Sequence, residues 1–405
     1  MLFRSPSPND PPMARSNLAI TTPFEPGSVF KVITLAAALE TTSLTPDSVV
    51  PCGNGTLNLF GRIIHDHDRY AALSMADVLA HSSNIGAIQI GLKVGDKRLY
   101  DYVSKFGFGQ KTDIEMPGES GGLLRQVKQW TPSSIGSVAM GHEVSANSIQ
   151  LAFAGAAVAN GGLMVKPRIV ASRRKADGVA VETPIEKPTR ILKPETTIQL
   201  RQMMEGVVLR GTGKKAAVRG YTIGGKTGSA QIYDLKNHVY THNYNSSFLG
   251  LAPLTNPQVV IVVTLNGTTG GAAGYGGAVA APVFREVATA AMRMLDVPKD
   301  VPEAPAKMLT KAHPLERENF NDLPIAGLGG EPPTLLASAQ GPGVRMFGGT
   351  KAPDFRGHSV RDVLEQAGAV GVRVEVLGSG MAKGQVPPPG AVLAPGEAVR
   401  VQFGR

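Results

Sequence analysis

The spacing of apolar positions changes along this chain, and the changes mark out its elements. Residues 28–40, SVFKVITLAAALE, carry apolar residues around a helix that begins after a Pro-Gly turn, with Ser28 at its N-terminal end. Two more helical stretches, SMADVLAH ending at His81 and IGAIQIGLKVG starting at Ile85, bracket HSSN, so Ser82, Ser83 and Asn84 fall at a helix junction. Residues 148–160, SIQLAFAGAAVAN, predict another helix, stopped by Gly161 and Gly162. The period then shortens. YTIGGKTGSAQIY, NSSFLGLAP and PQVVIVVTLNG predict three strands, the last two as antiparallel neighbours, before GAVAAPVFREVATAAMRML returns to helix. Helices, a run of strands and a closing helix predict an α+β fold rather than alternating βαβ units.

Elsewhere the pattern lapses. Residues 1–20 read as an irregular lead-in, and residues 296–350, rich in Pro and Gly, read as a linker after a main domain over 21–295. Residues 351–405 predict a small module of their own. There Val360, Val363, Leu364 and Ala367 form a helical stripe, Ser359 and Asp362 form a capping box, and VRVEV and EAVRVQF alternate as strands.

Charge narrows the partners. With 41 Lys+Arg against 32 Asp+Glu the chain carries +9, which favours anionic ligands. Aromatic residues make up only 5% and are not interleaved with the basic ones, so the stacking surface of a nucleic-acid binder is missing. The single cysteine, Cys52, excludes an internal disulfide framework and a multi-cysteine zinc site. The longest apolar runs, such as VVIVV at 259–263, are strand-sized, and the N-terminus lacks an apolar leader, so no anchor is expected within these residues.

The candidate chemistry begins with S-x-x-K at Ser28 and Lys31, which share a helix face. A serine hydroxyl needs a base, and a lysine serves only when burial or a second cation keeps it neutral. The tetrapeptide alone is weak: SRRK at Ser172–Lys175 also matches and reads as a solvated turn. Two later elements strengthen Ser28. SSN at Ser82–Asn84 and KTG at Lys226–Gly228 complete, in order, the triplet of motifs found in serine acyl-transferases, and no S-x-N follows Ser172. SAN at Ser145–Asn147 is a rival better read as the cap of the helix from Ser148.

With these motifs in place, the chain resembles the class B penicillin-binding proteins, peptidoglycan D,D-transpeptidases of the cell-division and sporulation type. FEPGSVFKVIT, MGHEVSANSIQLAFAGAAVANGG, GGKTGSAQ and SSFLGLAPLTNPQVVIVV follow family order over roughly residues 20–295, and the tail resembles a PASTA domain. The resemblance implies a serine β-lactamase-like fold, an antiparallel sheet flanked by helices. It implies Ser28 as nucleophile, Lys31 as base, Ser82 as proton relay and Asn84 as a substrate hydrogen-bond partner that orients Lys31. Lys226 would keep Lys31 neutral and attract a terminal carboxylate, with Thr227 and Ser229 as donors and Gly228 admitting the substrate backbone. The implied partners are stem peptides ending in D-Ala-D-Ala, β-lactams as covalent inhibitors, and division or sporulation machinery, with no cofactor, metal or nucleic acid. Family members begin with a membrane helix and a pedestal, neither of which is expected here, so membrane contact and an extracytoplasmic location are implied only through a missing anchor.

Other readings compete. A β-lactamase or D,D-carboxypeptidase would resolve the acyl-enzyme with water, and a non-catalytic sensor would bind muropeptides through the tail. Glu143 and Asn147 echo the spacing that positions a deacylating water, but chance spacing within a transpeptidase-like segment explains them. HDHD at His65–Asp68 invites a metal, yet adjacent ligands converge poorly on one ion. The Gly-rich run 266–277 lacks a following Walker-type lysine and reads as a loop near the site.

Overall fold

The computed structural model describes residues 9, 16–234, 237, 239–301, 351–391, 393 and 398–404. The chain divides into two units, Met1–Lys311 and Ala312–Arg405. Most of the expected linker, and most of the expected lead-in, lies outside the described residues.

In the first unit the Ser28 segment is tighter than a simple helix start. Gly27–Phe30 forms a 3-10 turn, and helix α1, Lys31–Thr41, continues it, with the Lys31 amide donating back to the carbonyls of Ser28 and Val29. Nearly all of α1 is buried, lysine included, because helices enclose it on several sides. Those helices are α2 (Met75–His81), α3 (Asn84–Val94), α4 (Asp96–Lys105), α5 (Ser134–Met140) and, beyond α6 (Ser148–Ala159), which packs on the sheet, α7 (Pro194–Leu209). The predicted junction exists: Ser74 caps α2, Ser83 caps α3, and Ser82 between them is left-handed at φ 62°. Asn147 caps α6 in a capping box with Gln150, as the SAN triplet suggests.

The sheet has three antiparallel strands in chain order, β1 (Gly224–Asp234), β2 (Val239–Ala252) and β3 (Val259–Thr268), with helix α8 (Gly276–Met294) on one face. Alternation along β1 turns Thr227 and Ser229 to one side and Lys226 and Gly228 to the other. One apolar cluster joins α1 to the surrounding helices and to Leu249 and Leu251, while a second, around Phe248 and Phe284, packs α8 on the sheet. Ser172–Arg174, read as a solvated turn, is solvated but is a strand of an exposed hairpin with Ala180–Glu182. No helix among the described residues is long and apolar enough to cross a membrane.

The second unit carries helix α9 (Val360–Ala369) and strands β4 (Arg373–Leu377), β5 (Met381–Val386) and β6 (Ala398–Gly404), ordered β4-β6-β5 with β4 parallel and β5 antiparallel to β6. Ser359 and Asp362 form the expected capping box. The expected stripe is only partly inward: Val363 and Ala367 are buried against Val399 and Val401, but Leu364 is 50% exposed.

Candidate active site

Local chemistry fixes the turn that carries Ser28. Gly27 adopts φ +53°, its amide donates to Gly141 O at 3.0 Å, and Phe24 and Ala146 bond each other's backbone in both directions. Gly141 sits at φ +84°, and a Cβ there would stand 2.2 Å from Gly27 O, so this close approach needs glycine. Glu25 adds side-chain ties. Its carboxylate accepts from the Glu143 amide at 2.9 Å, from His142 Nδ1 at 2.9 Å and from Tyr240 OH at 3.2 Å. Burial alone would raise the Glu25 pKa, but these donors, His142 foremost, hold it below its ordinary value.

Ser28 is half-buried and opens onto a cleft of about 560 Å³, together with Ser82, Asn84, Thr227 and Ser229. Its hydroxyl has no hydrogen-bond partner among the described residues. Both motif lysines lie beneath the cleft at 0% exposure. Lys31 Nζ donates to Ser82 O at 2.6 Å and to Asn84 Oδ1 at 2.8 Å, and stands 3.4 Å from Ser82 Oγ. Lys226 Nζ reaches the same hydroxyl from the sheet at 2.9 Å and donates to Thr227 O at 3.0 Å. Ser82 Oγ therefore bridges two amines, and the left-handed turn at Ser82 is what lets both its carbonyl and its hydroxyl face Lys31.

Burial pushes the Lys31 ammonium down to about 7, with the Asp66 carboxylate pulling the other way. Lys226 is driven well below its ordinary value by burial first and by the Lys31 charge second. The second cation was expected to keep Lys31 neutral; here burial is the larger influence on Lys31, and the like-charge repulsion bears on Lys226.

Gly228 also acts in its own way. Its missing side chain points inward, where a Cβ would stand 2.5 Å from Ser247 Oγ, 2.9 Å from Val29 Cγ2 and 3.0 Å from Pro26 O. Glycine lets the strand press on the turn that carries Ser28. Ser229 Oγ accepts the Gly276 amide at 2.9 Å, which ties β1 to the start of α8.

Several site residues escape the sequence motifs. Asp66 accepts from Ser83 Oγ at 2.5 Å, Asn84 N at 2.5 Å and Ile85 N at 3.1 Å, so it caps α3 and holds the SSN turn. Its neighbour His67 pairs with Asp68 at 3.1 Å, and among the described residues no group of three or more His, Cys, Asp or Glu side chains is placed to hold a metal. Thr212 Oγ1 lies 2.6 Å from Thr227 Oγ1. The only signal for Asp66 is its place ahead of the helix that ends in HSSN. Glu143 bonds Arg125 and accepts Ser134 Oγ at 2.7 Å, while Asn147 Nδ2 donates to Ile20 O and Ser120 O; neither residue lines the cleft.

This arrangement has relatives. Residues 2–289 match the penicillin-binding protein transpeptidase domain and residues 350–405 match the PASTA domain. The chain belongs to the penicillin-binding protein transpeptidase family. It is 37% identical to penicillin-binding protein PbpB of Mycolicibacterium smegmatis over 70% of this chain and 45% of that protein. With stage V sporulation protein D of Bacillus subtilis it shares 35% identity, over 69% of this chain and 43% of the other. The chain thus spans less than half the length of these curated relatives. The crystal structure of penicillin-binding protein 3 from Mycobacterium tuberculosis complexed with aztreonam superposes with a TM-score of 0.66 at 34% identity, covering 71% of this chain and 67% of that one. The α+β transpeptidase fold and the PASTA tail read from the sequence are those of the family.

Proposed function

We propose that this chain is a peptidoglycan D,D-transpeptidase working through an acyl-enzyme on Ser28. One observation carries the reading: two buried amines from separate elements converge on Ser82 Oγ, beside a serine whose hydroxyl is unpartnered among the described residues and opens to the cleft. Ser28 Oγ attacks the carbonyl carbon of the penultimate D-alanine, and its proton passes to neutral Lys31 Nζ. The oxyanion lies between the amides of Ser28 and Ser229, donors worth about 3–4 kcal/mol of barrier each. As the tetrahedral intermediate collapses, the C–N bond breaks and the proton reaches the departing amine through Ser82. Asn84 holds the substrate amide and steadies Lys31, while Thr227 and Ser229 take the terminal carboxylate and Lys226 attracts it from beneath the cleft. An amine from a second stem peptide then attacks the ester and forms the cross-link. β-Lactams acylate the same serine.

Resolution by an amine rather than water is favoured by the cleft lining, whose single carboxylate among the described residues, Asp68, is paired with His67. Glu143, the candidate water-activating base, is engaged elsewhere. The substrate puts the enzyme on the outer face of the cytoplasmic membrane; the name of one relative, stage V sporulation protein D, suggests sporulation as a setting, and the sequence resemblance adds division. Mass spectrometry of the penicillin-labelled peptide tests the reading. The label is expected on Ser28 and is expected to be lost in Ser28→Ala; covalent uptake by that variant at the wild-type rate refutes it.

A further inference from the structure

One end of the cleft carries more positive charge than acyl transfer uses. The Gly211–Thr212 segment is clamped between two motif-bearing elements: the Thr212 amide donates to Ala80 O of α2 at 3.1 Å, and Thr212 Oγ1 touches Thr227 Oγ1 of β1 at 2.6 Å. A Cβ on Gly211 would stand 2.2 Å from Ala80 O, so the clamp is tight. The 3-10 turn Lys214–Ala216 follows at once, anchored by buried Ala216. Lys214 and Lys215 are exposed and line the cleft, and among the described residues neither ammonium has an ion-pair or hydrogen-bond partner.

We propose that Lys214 and Lys215 select the acceptor of the transfer, favouring an amine whose own carbon bears a carboxylate. This rests on the acyl-transfer reading above. Attack by the acceptor is the reverse of expulsion of the leaving residue, so the two amines share one path and the groups on their carbons share one place. The acceptor nitrogen forms the C–N bond, the ester C–O bond to Ser28 breaks, and the ammonium proton returns to Ser28 Oγ by way of Lys31 or Ser82. A carboxylate on the acceptor carbon then falls at the Thr227 end, where Thr212 and the two lysines stand. Exposed charge pairs are individually weak, so the two lysines bias the choice by about tenfold rather than impose it. An electrostatic bias of this kind weakens with salt.

The test acylates the full chain with an uncharged thioester donor and offers D-alanine and D-alaninamide together, reading the two products by mass spectrometry. Comparing product ratios between wild type and variant cancels the difference in amine basicity. Lys214→Glu with Lys215→Glu is expected to move the ratio tenfold or more toward the amide, and raising salt is expected to move the wild-type ratio the same way. Should the reversal variant fail to fold, Lys214→Gln with Lys215→Gln is expected to give a smaller shift in that direction. A ratio constant within twofold in a folded, acylated variant overturns this inference alone. Absence of any acyl-enzyme in the wild type overturns the transpeptidase reading beneath it.

Discussion

Replacing Lys31 by methionine should stabilise the fold while abolishing its chemistry. Lys31 is fully buried and its pKa is held near 7 instead of the ordinary 10.5. At pH 7 the unfolded chain binds the proton far more tightly than the folded one, which destabilises the fold by roughly 4 kcal/mol at about 1.4 kcal/mol per pH unit. Because the folded pKa is the lower of the two, that destabilisation is full below pH 7 and fades as pH rises toward 10.5. Methionine fills a similar volume without a charge, but it gives up the bonds to Ser82 O and Asn84 Oδ1, worth about 1 kcal/mol each. The expected net gain at pH 7 is about 2 kcal/mol. Chemical denaturation at pH 7 and pH 9.5 measures it: the variant should lead clearly at the lower pH and lose that lead at the higher. Penicillin acylation should fall by about two to four orders of magnitude, the range for loss of a general base. A variant less stable than wild type by the same margin at both pH values would refute the claim that Lys31 is held neutral by burial.

Two other perturbations probe the surroundings. Asp66→Asn removes the carboxylate that raises the Lys31 pKa, so the acid limb of the acylation rate, set near pH 7 by Lys31, should move to lower pH; an unmoved limb in stopped-flow acylation would leave Asp66 a purely structural cap. Gly228→Ala forces a Cβ against Ser247, Val29 and Pro26 and should destabilise by about 1–3 kcal/mol while slowing acylation, readable by thermal melting and penicillin labelling.

The site is legible in the sequence where chemistry is local and hidden where it is not. Ser28 and Lys31 lie three residues apart on one continuous turn, and SSN sits at a junction announced by two helical patterns. The meeting of Lys226 with Ser82 joins positions 144 residues apart, and only motif order hints at it. Asp66 hid among histidines that suggest a metal, because a helix cap supplied from 18 residues upstream leaves no periodic trace. Helix α5 is buried all round and seven residues long, so it shows no amphipathic stripe, whereas α7 does carry a proline at its first position and Glu195 in its first turn. Leu364 fits the helical period yet faces outward, since a three-stranded sheet is too narrow to cover the whole stripe.

Ser28 and Lys31 ride on one continuous backbone turn, but Ser82 and Lys226 meet across a seam between the helices and the sheet. On the acyl-transfer reading proposed above, a slip along that seam would interrupt proton delivery while Ser28 and Lys31 stay in step. Drug selection could therefore act at the clasp formed by Ala80, Gly211, Thr212 and Thr227, yielding reduced antibiotic susceptibility from substitutions that leave the acylated serine and its immediate neighbours intact.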